Sequence, residues 1–339
     1  LAGKQVTLVS GAAMFIRLRL LGDIVFTLPA LSLFKEHFPS VRLHYVVEER
    51  YREIAELIPG IDRVVTVPSG RGFREVLEFR RQAREAAIAT VIDFHSGPAS
   101  ALLARASGAR LRIGYRTPNR NWAYNRLVQR TLPGRPVHSV ISQARLLQPL
   151  GIVNARIPGY PAVDSGDVPV SPRLAAAIAL RPKVVVHLGA GNGFRDWGED
   201  RFLELARRLG RQAAVVLVGA SELERQRAAR LAALDNVHDL SGPLGVRELL
   251  KLVESASVYV GADSGPLHLA SLTRTPIVAL YGPNLSAISG PWRSSALEII
   301  ELEMACRPCS QRRCKYGTIP CMRDISTDRV HEAVSRFLH

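Results

Sequence analysis

Aromatic residues are scarce, with Phe, Trp and Tyr making up 6% of the 339 residues. That leaves little material for the stacking platforms of single-strand nucleic-acid binders, and no recognised nucleic-acid signature appears. No apolar run reaches the roughly 18 residues that span a bilayer. The opening residues lack the basic-then-apolar layout of a secretory signal, so a cytoplasmic protein is expected. Met14 is the expected natural start, which makes "LAGKQVTLVSGAA" a lead. There is no internal repeat and no low-complexity tract. Phosphate-binding fingerprints are missing too: the glycine-rich "HLGAGNGFRDW" (187–197) lacks the Lys-Ser/Thr of a Walker A loop and does not match G-x-G-x-x-G. Cysteine is absent except for four residues within 306–321.

What is present is an ordinary globular composition, 47% hydrophobic and 22% charged, on a chain long enough for two domains of about 150 residues. The charge is lopsided. Residues 1–150 carry 22 Lys and Arg against 11 Asp and Glu, net +11, whereas residues 151–339 carry 23 against 19, net +4. An anionic partner for the first half is one reading, and a phosphate-bearing, membrane-associated substrate suits it better than nucleic acid. A solvated, arginine-rich surface is the other.

Short β-branched runs alternate with amphipathic stretches. "MFIRLRL", "RLHYVVE", "RVVTVP", "ATVIDF" and "LRIGY" predict strands in the first half. "KVVVHLG", "AAVVLVG", "NVHDLSG", "VYVGAD" and "PIVALYG" predict strands in the second. Segments such as "FREVLEFRRQAREAA" and "EDRFLELARRLG" predict the helices between. Such alternation means parallel sheets covered on both faces, and "ARIPGYPAVDSGDVPVSP" (155–172) reads as the linker. Ligands of doubly wound sheets bind at the carboxyl ends of the strands.

The strand ends of the second half carry the chemistry. Gly189 and Gly191 let backbone amides approach a phosphate or nucleoside, and Arg195 follows in the same loop. Glu222 and Glu224 follow "LVGAS", where a carboxylate accepts bonds from ribose hydroxyls or merely favours a helix start. "GADSGPLHLAS" predicts a helix capped by Asp263 and Ser264, with Pro266 in its first turn. The amides of Ser264, Gly265 and Leu267 then suit a diphosphate, and His268 lies in the same turn. Cys306, Cys309, Cys314 and Cys321, spaced C-x2-C-x4-C-x6-C, leave three readings open: a structural metal site, reduced thiols, or pairs that oxidise on purification.

Five segments in order, "RLRLLGDIVFTLPAL", "SALLARASGARLRIGY", "HLGAGNGFRDWGEDRF", "GADSGPLHLAS" with "TPIVALYGP", and "CRPCSQRRCKYGTIPC", resemble the lipopolysaccharide heptosyltransferase family. The cysteine tail is most similar to its heptosyltransferase II branch. The resemblance implies an α/β GT-B fold with two doubly wound, Rossmann-like domains and an interdomain cleft. An acceptor domain at 14–160, a nucleotide-sugar domain at 173–325 and a terminal helix at 326–339 that packs back on the first domain are expected. It implies an inverting transfer from ADP-L-glycero-D-manno-heptose to a Kdo-containing lipid A core, peripheral to the inner membrane. In that scheme Asp23 is the general base and Arg195 stabilises the leaving diphosphate. Asp263 holds the donor sugar or its loop, and Asp93, His95 and Arg120 lie on the acceptor side. "DFHSGP" replaces the Gln-containing loop of the family at the fourth strand end. Asp263 is followed by Ser and Gly, so no metal-binding D-x-D is formed and no divalent cofactor is expected. A protein acceptor or a non-catalytic anion-binding module are the alternatives.

Overall fold

The computed structural model describes residues 11–70, 72–131, 136–294 and 296–338. Residues 1–10 of the expected lead lie outside them. The chain divides into two compact units, Leu1–Val163 and Asp164–His339. The division falls inside the Pro/Gly-rich stretch 155–172.

In the first unit the described elements run β1 (Ala12–Ile16), α1 (Leu21–Val25), α2 (Leu28–His37), β2 (Arg42–Glu48), α3 (Arg52–Leu57), β3 (Arg63–Val67), α4 (Phe73–Glu85), β4 (Ile88–Asp93), α5 (Pro98–Ala106), β5 (Leu111–Tyr115), β6 (Arg126–Val128) and α6 (Ser139–Ala144). All strands are parallel, in the order β3-β2-β1-β4-β5-β6. Every residue of β1 and β4 is buried, as a central strand covered on both faces requires. Met14 sits mid-strand, because Ala12 and Ala13 already pair with Arg42 and Leu43. The strand expected over "MFIRLRL" ends at Ile16, which frees Arg17–Leu20 to turn across the sheet edge.

The second unit repeats the plan: α7 (Pro172–Ala179), β7 (Lys183–His187), α8 (Glu199–Leu209), β8 (Ala214–Val218), α9 (Glu222–Leu231), β9 (Val237–Asp239), α10 (Val246–Glu254), β10 (Val258–Ala262), α11 (Gly265–Ala270), β11 (Ile277–Tyr281), α12 (Ser286–Ser289), β12 (Leu297–Glu301), α13 (Pro320–Arg323) and α14 (Thr327–Leu338). Its parallel order is β12-β11-β10-β7-β8-β9. Counted from its own first strand this is 6-5-4-1-2-3, the first unit's order read from the other edge. The connection between the third and fourth strands therefore crosses the sheet in both units. A crevice results where the order reverses, between β1 and β4 and between β7 and β10. The expectation that the terminal helix packs on the first domain is corrected. Its apolar face, Val330, Ala333 and Val334, lies in the second unit's core with Leu205, Val258 and Ile300.

Candidate functional site

In the first unit the residues of interest stand at the reversal point. Arg17 leaves the end of β1, runs almost fully buried, and donates through Nη1 to Phe94 O at 2.7 Å. Its Nη2 forms an ion pair with Asp23 Oδ2. Asp23 lies in the first turn of α1 with its side chain 35% exposed. No hydrogen bond engages Oδ1 among the described residues, so one oxygen is held and the other is open. His95, beyond β4, is held neutral: burial, then the charges of Arg17 and Arg19, push its pKa down to about 4.

Asp93, expected on the acceptor side, ends β4. It is fully buried, and its oxygens accept from Tyr124 Oη at 2.6 Å and from the amides of His95 and Ser96 at 2.9 Å. Burial raises its pKa despite those bonds. It anchors the turn that presents His95. Tyr124 reaches it by lying across Gly114, where a Cβ would stand 2.6 Å from the ring. Arg120 joins the same loop, its Nε donating to Ser96 O at 3.2 Å.

In the second unit the reversal point holds Arg195 and Asp263. Arg195 Nη1 contacts Asp263 Oδ2 at 3.3 Å and Asp263 O at 3.0 Å, while Nε donates to Gln311 Oε1 at 3.0 Å. Its Nη2 has no partner among the described residues. Asp263 Oδ2 also accepts from Asn284 Nδ2 at 2.6 Å, and His268 Nε2 lies 3.4 Å from Oδ1. Gln311 Nε2 donates to Asn284 Oδ1 at 2.8 Å and closes the ring of side chains. Burial opposes ionisation of Asp263, but the bonds from His268 and Asn284 and the charge of Arg195 leave its pKa below the usual value.

Asp263 and Ser264 do not cap α11 with their side chains. Ser264 is the N-cap by backbone alone, and its Oγ is buried without a partner. The first helical bond is His268 N–H to Ser264 O at 3.3 Å, so the amides of Gly265 and Leu267 precede it. The side chain of Leu267 is packed in the core, which leaves only its amide for a ligand.

Glu222, expected on the donor side, begins α9. It is exposed and paired with Arg225, whose Nη2 lies 2.5 Å away. Glu224 stands at the end of β8 instead, with Oε2 accepting the amides of Ala220 and Ser221 at 2.8 Å. Its Oε1 lies over Gly189, where a Cβ would meet it at 1.6 Å. Gly189 is therefore fixed by close approach, and Gly191 by a left-handed φ of +62°.

Among the described residues no group of three or more His, Cys, Asp or Glu side chains is placed to hold a metal ion. All four thiols are free and line one cavity of about 60 Å³, with Cys321 buried and its pKa raised by that burial. Their segment is tied elsewhere: Cys309 N–H donates to Pro283 O at 3.1 Å, and Gln311 reaches the Arg195–Asp263 pair. Arg307 holds Glu301 and donates to Asn284 O at 2.7 Å. A cavity of about 580 Å³ opens beside it, lined by Leu285, Glu301, Glu303, Met304 and Ala305.

Each unit thus holds an aspartate and an arginine at its sheet reversal, Asp23 with Arg17 and Asp263 with Arg195. The family model described as "Glycosyltransferase family 9 (heptosyltransferase)" matches residues 76–319. The chain belongs to this family. As a member it is a glycosyltransferase, and the expected recognition and two-domain fold hold. Lipopolysaccharide heptosyltransferase 1 of Pseudomonas aeruginosa is 29% identical over 310 residues, covering 87% of this chain and 85% of that one. The family 9 glycosyl transferase of Veillonella parvula superposes with a TM-score of 0.84 at 19% identity, covering 99% of both chains. The Escherichia coli ADP-heptose lps heptosyltransferase II superposes at 0.78, also at 19% identity, covering 96% of this chain and 98% of that one.

Proposed function

We propose that this family 9 enzyme moves heptose from ADP-L-glycero-D-manno-heptose to an inner-core lipopolysaccharide acceptor, with inversion at the anomeric carbon. The observation that carries the reading is the state of Asp23, whose Oδ2 is taken by Arg17 and whose Oδ1 is open at the sheet edge. An acceptor hydroxyl bound there passes its proton to Oδ1 as its oxygen forms the new bond to the anomeric carbon. The bond from that carbon to the diphosphate oxygen breaks on the opposite face, and the electron pair leaves with ADP. Charge developing on the leaving group meets Arg195 Nη2 and the amides of Gly265 and Leu267, donors already in place before the reaction. Glu224, with Oε1 beside Gly189, accepts the ribose hydroxyls in place of Glu222.

Asp263 is committed to Arg195, Asn284 and His268, so it positions the cationic loop rather than a divalent cation. The names of the relatives support the substrate classes, and the basic first half suits an acceptor bearing carboxylates and phosphates. The test is transfer from ADP-heptose to a panel of deep-core acceptors, with and without EDTA, and the anomeric configuration of the product read by NMR. Transfer with inversion that survives EDTA is expected. A retained configuration, or a requirement for added metal, overturns the mechanism.

A further inference from the structure

Four large apolar side chains that stay exposed in the intact chain lie on three elements of the first unit. Phe73 (77% exposed) and Leu77 (46%) are on α4, Leu102 (43%) is on α5, and Trp122 (57%) is in the turn at Asn121–Ala123. The three are contiguous, since α5 packs against both α4 and that turn.

The helix phase shows why these residues are outside. On α4 the core takes Phe79 and Ala83. At 100° per residue Phe73, Leu77, Arg80 and Arg84 then form one stripe on a solvent flank. On α5 the core takes Ala101, Leu103 and Ala104, and Pro98, Leu102 and Arg105 form the equivalent stripe. Both stripes read apolar first and arginine after, with Leu77 and Arg80, and Leu102 and Arg105, about 4.5 Å apart along the axis. Each helix follows a parallel strand, so both apolar ends lie toward the carboxyl edge of the sheet, the edge that carries Asp23.

The charges are sorted as well. Arg81, opposite the core side of α4, is tied to Glu78 at 2.6 Å and Glu85 at 2.7 Å. Glu75 is used on the Gly72 amide. Arg80, Arg84 and Arg105 have no carboxylate partner among the described residues. The Trp122 indole N–H donates to Asn119 O at 3.1 Å, so its ring is exposed with no donor left unmet.

We propose that this α4–α5 face seats the enzyme on an anionic lipid bilayer, a surface that rests on the lipid-linked acceptor proposed above. Phe73, Leu77, Leu102 and Trp122 enter the headgroup boundary, and Arg80, Arg84 and Arg105 meet lipid phosphates one turn behind. Interfacial helices bury their apolar side about 5–10 Å deep and add attraction to anionic headgroups, and this arrangement supplies both. Charge complementarity selects the occupant: the half-chain that carries the face is net +11, and the unpaired arginines lie on the stripes themselves.

The experiment is cosedimentation of the full chain with vesicles of phosphatidylcholine alone and of equal parts phosphatidylcholine and phosphatidylglycerol. The proteins are the native chain, Phe73→Ser/Leu102→Ser, Arg80→Glu/Arg84→Glu, and Arg80→Lys/Arg84→Lys. Binding to the mixed vesicles is expected to be salt-sensitive and at least tenfold tighter than to the neutral ones. The Ser and Glu pairs each lose about tenfold, and the Lys pair keeps binding. Transfer to a soluble, deacylated acceptor is unchanged in all four, whereas transfer to acceptor embedded in vesicles falls with binding. Equal binding to both vesicle types, or Ser and Glu pairs that bind as the native chain does, overturns the proposal. So does a Ser pair that only turns a dimer into a monomer, which would make the face a contact between copies. Absence of transfer to either acceptor while vesicle binding behaves as stated overturns the proposed reaction and leaves the surface standing.

Discussion

The two units of this chain place an arginine, an aspartate and a histidine at the same point of the same strand order, and use them differently. In the first unit Arg17, Asp23 and His95 gather where β1 and β4 part. In the second, Arg195, Asp263 and His268 gather where β7 and β10 part. Asp23 is 35% exposed and meets one partner, whereas Asp263 is 5% exposed and meets Arg195, Asn284 and His268. The arginines are reversed in the same sense: Arg17 is 5% exposed, and Arg195 is 24% exposed with Nη2 free. A carboxylate that must take a proton keeps an oxygen open and lets a buried cation hold the other. A cation that must meet a phosphate is itself held by a buried carboxylate. In the reaction proposed above, one topology thus gives a proton acceptor in one unit and an anion holder in the other, by exchanging which partner is buried.

The sharpest way to break this comparison is to neutralise both aspartates. Asp23→Asn is expected to lower turnover about a thousandfold, within the range for a general base, and to leave ADP affinity by calorimetry unchanged. Asp263→Asn is expected to weaken ADP binding by more than tenfold and to lower the melting temperature, because it releases a buried arginine contact. The opposite pattern would invert the roles. Next in size, Arg195→Ala should cost about a hundredfold in kcat, as removal of one preorganised donor does elsewhere, with a smaller change in KM for the acceptor.

Gly189→Ala sharpens the donor side. Its Cβ would lie 1.6 Å from Glu224 Oε1, so the carboxylate must move. An about tenfold weaker ADP affinity is expected, with an overpacking cost of about 1–3 kcal/mol in chemical denaturation. In the first unit His95 has a folded pKa of about 4 against the ordinary 6.5. Protonation thus favours the unfolded chain, and stability is full above about pH 6.5 and falls as the pH drops toward 4. His95→Gln should flatten part of that slope in denaturation curves taken across this range. The smallest effect is reserved for Glu222→Gln. Its surface pair with Arg225 is worth little, so ADP affinity and stability should match those of the native chain.

Much of the architecture was legible from alternation alone, and the two strands that escaped are instructive. β6 and β12 each stand at a sheet edge, where one neighbour is missing and burial is partial, so the apolar pattern that marks a strand fades. Arg195 and Asp263 were visible because strand ends are where such folds bind, whereas Asp23 was named only by the family resemblance. Arg17 was hidden inside an apparent strand. The choice between Glu222 and Glu224 turned on helix phase, and the signal was present: Ser221-x-x-Glu224 is a capping box, which draws the second acid inward. The bond that fixes Asp93 was not legible, because its partner Tyr124 is 31 residues away. Nor was the tether from Gln311 in the cysteine segment to Arg195 and Asn284, because spacing says nothing of where a segment is tied.

That tether has a consequence for the chemistry. Gln311, between Cys309 and Cys314, grips both Arg195 and Asn284. A bulky thiol reagent on either neighbour would pull this clasp away from the Arg195 guanidinium. Inhibition would then arise far from any reacting atom, as slackness in a loop.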